Sequence, residues 1–156
     1  MTDFYKECED GLIKLLQTLT TFFPEKWQVS DDDTIVMRGA DYLIVVRPSA
    51  FPIAATEGET AAFVDWNTRM DLFVRFEDYK ESWNKFKAFR SVIFNLFMKY
   101  PTLDDTVGVI AVSMTGDQPT QYLKLKDAPE AKPAYIVQTV RVVMRQLVTY
   151  VGEGEL

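Results

Sequence analysis

Residues 62–76 read AFVDWNTRMDLFVRF. Every second position, starting with the first, carries an apolar side chain or the uncharged Thr68, and most positions between them carry charged or amide side chains. Phe63 and Phe73 are the exceptions on the polar side. A period of two is typical of a β-strand, because successive side chains of a strand point to opposite faces of the sheet. This stretch therefore predicts one long strand with an apolar face and a polar face.

A second alternation of the same kind covers residues 134–150. Its even positions are largely apolar and include Ile136, Val140, Val142, Met144 and Val148. Its odd positions place Arg141 and Arg145 among apolar residues. We predict a second long strand here, with its arginines on the face opposite the even side chains.

The length of the two runs is unusual. Each covers about fifteen positions and would extend about 50 Å, whereas a domain of this size has a diameter of about 40 Å. Two outcomes are open. A bulge or bend near Asn67–Thr68 and Gln138–Thr139 would split each run into shorter strands. Otherwise the strands project as a β-arm, whose exposed edges require a partner.

The remaining elements follow from helical spacing, short apolar runs and turn residues. The sequence predicts helices over residues 3–23 and 78–99 and short strands over residues 34–37, 42–46 and 107–115. Residues 48–59 and 121–133 are predicted as loops, because prolines and polar residues interrupt any periodicity there. We therefore predict a single α+β domain over residues 1–151 and a frayed tail over residues 152–156. The element order is α-β-β-β-α-β-β, with a mainly antiparallel or mixed sheet flanked by two helices.

Composition excludes several classes of chemistry. The chain contains no histidine, which removes histidine-based catalytic triads and most zinc sites. Its single cysteine, Cys8, lies on the apolar stripe of the first predicted helix, as a buried structural thiol would. The acidic clusters lack the spacing of a metal-binding loop, and no glycine-rich phosphate-binding motif occurs. We therefore expect no enzymatic activity, no metal and no cofactor.

The charge and hydropathy of the chain suggest its surroundings. Seventeen basic residues against 23 acidic residues give a net charge of −6, which disfavours non-specific binding to nucleic acid. No apolar run is long enough to span a membrane, and the first residues are acidic where a signal peptide would be basic. We expect a soluble protein of the cytoplasm in which it is made.

Four arginines are the strongest candidates for a functional surface. They lie on the polar faces of the two long strands, at Arg69, Arg75, Arg141 and Arg145. If the strands are neighbours, these residues form a basic stripe that could pair with another subunit or face passing DNA. The alternative is cross-strand pairing with the aspartates of the same face, Asp65 and Asp71.

Two loops supply further candidate contact residues. The proline-flanked loop carries Phe51, and the loop over residues 121–133 carries Lys124 and Lys126. We include these three residues, together with Asp71, among the candidates for an interface with another subunit or another protein. A plain solvated loop is the alternative for the two lysines.

The order of these features resembles a family of virus proteins. An amphipathic helix, a hairpin and a proline-flanked loop are followed by the strand WNTRMDLFVR at residues 66–75, a helix over residues 82–100 and the closing strand YIVQTVRV at residues 135–142. This pattern, over most of the chain, is similar to that of the tail terminator (tail-completion) proteins of long-tailed bacteriophages.

The resemblance implies a structural protein of the virion with no catalytic activity. Such proteins form a ring, a hexamer, that caps the tail tube, stops its elongation and provides the joint to the head. The implied partners are further copies of the chain, the tail-tube protein and the head–tail connector. DNA would pass through the lumen without specific binding, as an acidic wall allows. The protein would reside in the host cytoplasm during assembly and then in the virion tail.

Two alternatives to a tail terminator remain open at this stage. One is another head–tail connector, neck or tail-tube protein, which could have a similar element order. The other is a small acidic bacterial binding module, such as an immunity protein or a secretion chaperone, whose low pI would suit a basic partner.

Overall fold

The structure is a computed structural model, and it describes residues 4–19, 28–29, 41–47, 52–57, 61–106, 108–116, 118–124 and 133–149. Within these residues the elements are α1 (Phe4–Leu16), β1 (Gln28–Val29), β2 (Tyr42–Arg47), β3 (Pro52–Glu57), β4 (Ala61–Arg75), α2 (Tyr79–Lys99), β5 (Val109–Gly116), β6 (Gln121–Leu123) and β7 (Tyr135–Thr149). The predicted strand at residues 34–37 and the predicted tail at 152–156 lie outside the described residues. The prediction of an α+β fold, with two helices and a mainly antiparallel sheet, is confirmed.

The seven strands form one sheet in which the two long strands are central. The main path runs β1-β2-β4-β7-β5, with β3 also pairing with β4 and β6 also pairing with β7. All pairs are antiparallel except β1 with β2. Each long strand therefore has its long neighbour on one side and two shorter strands, placed end to end, on the other.

Neither predicted bend occurs in the long strands. Their pairing continues without a register shift from Ala61 opposite Thr149 to Arg75 opposite Tyr135. The strands also do not form a two-stranded arm, because β2 and β3 flank β4 while β5 and β6 flank β7. Fifteen-residue strands are tolerated here because their backbone groups find partners on both sides along most of their length.

Both described helices pack on the same face of the sheet. The main core joins residues of α1 and α2 to even-numbered residues of the strands, and its fully buried members include Leu12, Phe86, Leu72 and Val142. Tyr5 on α1 contacts the ring of Trp66 at 5.4 Å between centroids, and Tyr42 on β2 contacts Phe89 on α2 at 5.0 Å. The predicted apolar face of each long strand is therefore the face that the helices cover.

Two segments that we predicted as loops contain strands. Residues Pro52–Glu57 form β3 and pair with the first half of β4, and residues Gln121–Leu123 form β6 at the end of β7. Neither segment has enough alternation to be recognised locally. They become strands because long neighbours offer unpaired backbone groups, and Pro52 is tolerated as the first residue of its strand.

The helix ends agree with the prediction for α2 and differ for α1. Asp78 caps α2 by accepting a hydrogen bond from Glu81 N at 2.7 Å, and the helix stops before Tyr100–Pro101 as predicted. α1 ends at Leu16, whereas helical spacing predicted a longer element. Thr18 N and Leu19 N bond to carbonyls three residues back, which tightens the last turn and ends the α-helical hydrogen bonding.

Candidate functional site

The sheet face opposite the helices, called the open face below, carries the predicted arginines. Odd-numbered residues of β4 and β7 point to this face, and the register places Arg47, Arg69 and Arg141 side by side on β2, β4 and β7. Arg69 and Arg141 are thus neighbours on adjacent strands, which was one of the predicted arrangements. The row runs across the strands, not along them, and it includes Arg47, which we did not select from the sequence. Extending the alternation of β2 by two positions beyond Val45 would have found this residue.

Asp71 is the buried centre of the open face. Its side chain accepts a hydrogen bond from Arg47 Nε at 2.6 Å and another from the hydroxyl of Thr139 at 2.6 Å. The residue is only 7% exposed, although it lies on the face that the described helices do not cover. A buried carboxylate needs partners of this kind, because an unpaired buried charge is strongly unfavourable. Asp71 therefore joins three strands, β2, β4 and β7.

A second carboxylate of the open face forms the cross-strand pair that was the alternative to a basic stripe. Arg145 donates to Asp65 through Nε at 2.7 Å and through a second nitrogen at 3.0 Å, and the two residues are directly opposite in the register. These hydrogen bonds are the main cause of the lowered pKa of Asp65. Arg75 lies 3.8 Å from Asp41 at the end of the sheet. Of the four predicted arginines, Arg145 and Arg75 therefore contact different carboxylates, while Arg69 and Arg141 lie opposite each other.

The Asp65–Arg145 pair predicts a contribution to stability that depends on pH. Because the pKa of Asp65 is lower in the folded chain than its ordinary value of 3.8, unfolding takes up a proton as the pH falls towards and below that value. The stabilisation is complete above pH about 4 to 5 and is lost as the pH falls through the lowered pKa. We expect the acid-unfolding midpoint of Asp65→Asn to differ from that of the parent, with equal pH dependence above neutrality. Circular dichroism during an acid titration measures the midpoints of both proteins. Identical unfolding curves of the parent and the variant at acid pH would contradict the prediction.

The outer edge of the sheet on the other side of β7 is formed by β5 and β6. Within the described part of the chain, no strand pairs with the outer side of either. Most residues of β5 are exposed, and all three residues of β6 are. Lys124, one of the predicted contact residues, directly follows β6 and is exposed. Phe51 and Lys126 lie outside the described residues.

Exposed apolar side chains are concentrated along this edge. Those on β5, β6 or α2 are Tyr79, Phe94, Met98, Ile110, Tyr122 and Leu123, with exposures from 44% to 67%. Tyr79 and Tyr122 meet edge to face at 5.4 Å, and both contact Phe76. Exposed apolar patches of this kind mark interaction surfaces more often than isolated residues do. Helical spacing would assign Tyr79 and Phe94 to the apolar stripe of α2, but spacing alone does not say how wide the covered part of the stripe is.

A groove of about 430 Å³ separates α2 from the end of β5. Arg90, Phe94 and Asn95 form one wall, and Met114 and Gly116 form the other. Arg90 donates to the Gln138 side chain at 3.0 Å and lies over the ring of Phe86. The groove thus combines the apolar side chains of Phe94 and Met114 with polar side chains and with the cation of Arg90 at the C-terminal end of β5.

A second groove of about 430 Å³ lies between α1 and the turn that precedes β5. Glu7, Asp10, Asp104 and Asp105 give it an acidic lining. Leu103, Asp104 and Asp105 all have positive φ, between 53° and 63°, which is uncommon for residues other than glycine. Buried Leu103 and the hydrogen bond from Thr106 Oγ1 to its carbonyl hold this turn in place.

Gly11 allows the acidic turn to approach α1. A Cβ atom at this position would overlap with Oγ1 of Thr106. The sequence shows Gly11 only as a weak helix former inside a helix. The structure shows that the absence of a side chain is what lets the turn pack on the helix.

Cys8 is fully buried in the main core, as predicted. Burial, reinforced by the neighbouring Glu7 carboxylate, raises the pKa of its thiol to about 12. Because only the thiolate is reactive, we expect no labelling of the native chain by a maleimide at neutral pH and complete labelling in denaturant. Mass spectrometry of both samples measures this. Rapid labelling of the native chain would show that α1 opens readily from the sheet.

The described residues contain no group of three or more cysteine, aspartate or glutamate side chains arranged to hold a metal ion. Neither helix in the described part of the chain is long and apolar enough to cross a bilayer. The open face carries paired charges next to a buried apolar cluster of Val45 and Phe73. Along the outer edge, no described strand pairs with the outer side of β5 or β6, and several apolar side chains are exposed. These are features of a surface that binds other macromolecules.

Comparison with models of known protein families gave no match, and comparison with curated proteins gave none either.

Proposed function

We propose that this chain is a structural subunit of a bacteriophage virion, a tail terminator. Copies of the chain form a ring, a hexamer, which caps the tail tube, stops its elongation and provides the joint to the head. The ring assembles in the host cytoplasm and remains in the virion tail. The protein has no catalytic role in this proposal.

The observation that best supports a ring is the arrangement of the two outer edges of the sheet. β3 and β5 lie on opposite sides of the β4–β7 pair, and the antiparallel pairings give them opposite directions. Two copies in the same orientation can therefore place β5 of one beside β3 of the next in antiparallel fashion. Such a head-to-tail contact repeats from copy to copy and closes into a ring when the rotation permits. The resemblance of the sequence to tail terminators supports the same conclusion.

The charge of the chain suits a ring around DNA. A net charge of −6 per subunit repels phosphate and would let DNA pass without being held. On the open face, Arg145 and Arg47 are paired with Asp65 and Asp71, so part of its basic charge is neutralised within the subunit. A passage for DNA requires weak binding of this kind.

Electron microscopy with the matching tail-tube protein tests the proposal. The full chain is added to tail-tube protein while the tube is polymerising, and tube lengths and ends are measured. We expect shorter tubes with a density of sixfold symmetry at one end only. Unchanged tube lengths with no end density would overturn the proposal. Long tubes formed by this chain alone would identify it as a tube protein instead.

An acidic binding module is a second candidate, and the acidic groove favours it. Glu7, Asp10, Asp104 and Asp105 would complement a basic protein, as an immunity protein or a secretion chaperone does. Affinity capture with the full chain distinguishes the two functions. A stoichiometric basic partner whose capture is lost in Asp104→Lys, together with no effect on tail tubes, would favour this second function.

A further inference from the structure

Over residues 111–116, the outer side of β5 lacks the features that normally protect an exposed strand. Its sequence, VIAVSMTG, contains no charged residue and no proline. Its single irregularity lies at the start, between Val109 and Ala111, and the rest pairs regularly with β7. Exposed strands of monomeric proteins are usually blunted by charges, prolines or bulges, because their open backbone groups recruit other strands. The uncharged residues 111–116, which pair regularly with β7, are suited to pairing with another chain.

Apolar side chains border the outer side of β5 where a second strand would lie. Ile110 at its start is 47% exposed. Phe94 on α2 lines the groove together with Met114 and is 45% exposed. Pairing of the backbone would bring these side chains against the partner and remove their apolar area from water.

The charges at the two ends of β5 indicate which partner fits. Asp104 and Asp105 are exposed in the turn that leads into the strand, and Arg90 lines the groove beside its last residue, Gly116. In an antiparallel pair the start of one strand lies beside the end of the other. A second copy of β5 would therefore bring its aspartates to Arg90 of the first copy and its Arg90 to the aspartates of the first.

We infer that the β5 edge is a two-fold docking surface for a second copy of this chain. The two β5 strands pair antiparallel, and the carboxylates of Asp104 and Asp105 in each copy face Arg90 of the other. In the joined sheet the helices of both copies lie on the same side. Each residue of one β5 strand is therefore opposite a residue of the other β5 strand that points to the same face of the sheet. In the register centred on the middle of the strand, Ser113 lies opposite Ser113 of the second copy and Ala111 lies opposite Thr115 of the second copy.

This inference stands without the proposed function and adds to it. A two-fold contact is closed and leaves no open β5 edge for a third copy. A ring needs β5 to contact a different edge, so the dimer is the form of the unassembled subunit and must open before ring formation. Its interface is small, and it should therefore dissociate on dilution.

Sedimentation velocity of the full chain over an about hundredfold concentration range is the first test. We expect a reversible monomer–dimer equilibrium. Ser113→Lys puts two like charges opposite each other at the axis and should weaken dimerisation at least about tenfold. Ser113→Thr keeps the strand uncharged and should leave the equilibrium unchanged. A monomer at every concentration, or equal dimerisation of the parent and the lysine variant, would overturn the inference.

A charge exchange tests the predicted contact of Arg90 with the aspartates. Arg90→Glu and Asp105→Arg should each weaken the dimer, because each places like charges together. The double variant restores opposite charges and should recover most of the affinity. Loss in both single variants without recovery in the double variant would contradict the predicted contact.

Disulfide formation tests the register, and it remains informative if the dimer is weak. Paired residues of antiparallel strands have Cα atoms about 4.5 to 5.5 Å apart, which a disulfide can bridge. Ser113→Cys should therefore form a disulfide-linked dimer under mild oxidation. Thr115→Cys is the matched control on the same strand and face, because the two copies of that residue would be about 13 Å apart. The native thiol of Cys8 is buried and does not compete. Equal cross-linking of the two variants would overturn the two-fold register.

The two proposals fail in different ways. In one outcome the parent chain forms a dimer that Ser113→Lys abolishes, but the parent chain has no effect on tail tubes. This outcome supports the docking surface and overturns the terminator proposal. In the opposite outcome the parent chain caps tail tubes but is a monomer at all concentrations. This outcome supports the terminator proposal and overturns the two-fold contact.

Discussion

Phe86→Ala is expected to lower the free energy of unfolding by about 3–5 kcal/mol. Phe86 is completely buried in the main core, stacks on Trp83 with 6.0 Å between ring centroids and lies under the guanidinium of Arg90. Alanine would remove the ring and leave a cavity between α2 and the sheet, which the surrounding side chains could fill only in part. Urea denaturation followed by circular dichroism measures the loss as a shift in midpoint at constant slope.

Phe94→Ala is the matched control, because it makes the same change on the same helix. Phe94 is 45% exposed and lies beside the groove at β5, so the free energy of unfolding should fall by less than about 1 kcal/mol. The same variant should weaken the proposed dimer, since it removes apolar area from the docking surface. Equal destabilisation by the two substitutions would mean that α2 buries a different face from the one described.

Asp71→Ala is expected to have the second largest effect, a loss of about 2–3 kcal/mol. The substitution would leave the guanidinium of Arg47 and the hydroxyl of Thr139 without the acceptor that both contact at 2.6 Å. The side chain of Arg47 is 25% exposed, so water would replace part of the interaction and keep the loss below that of a fully buried pair. Thermal and urea unfolding at neutral pH measure the effect.

Asp65→Ala is the control for Asp71, because it removes a carboxylate from the same face of the same strand. Its partner Arg145 is 53% exposed, so we expect a much smaller loss of stability. The double variant Arg47→Met with Asp71→Leu should recover much of the stability lost in Asp71→Ala, because it removes the uncompensated charge. A loss in Asp71→Ala no greater than that in Asp65→Ala would show that burial does not strengthen the Asp71 interactions.

The buried position of Asp71 bears on the proposed ring as well. The open face is joined across three strands by Asp71 and Thr139, so this part of the sheet is expected to behave as one rigid unit. Rigid subunits suit a ring that must match the end of a tube, because little conformational entropy is lost when they assemble. Assembly would add order at the outer sides of β5 and β6, with which no strand of the described residues pairs.

The candidate site could be predicted only in part. Alternation placed Arg69, Arg75, Arg141 and Arg145 on polar strand faces and offered their cross-strand pairing with Asp65 and Asp71 as one of two alternatives. The structure shows such a pair between Arg145 and Asp65, but the alternation did not say which arginine pairs with which aspartate. It did not find Arg47, whose strand was taken to end one residue earlier. It also did not identify β5 as the outer edge, because no feature within a strand says how many neighbours it has.

The two faces of the long strands, the start and end of α2 and the burial of Cys8 could all be predicted from the amino-acid order alone. Each of these depends on local properties: the period of side chains along a strand, the capping of a helix by Asp78 and the apolar stripe of α1. Three features required the folded chain: the strands β3 and β6, the packing of both described helices on one face, and the contacts of Asp71 with Arg47 and Thr139. These features arise from contacts between residues far apart in the chain, where the pairing of backbone groups overrides weak local preferences.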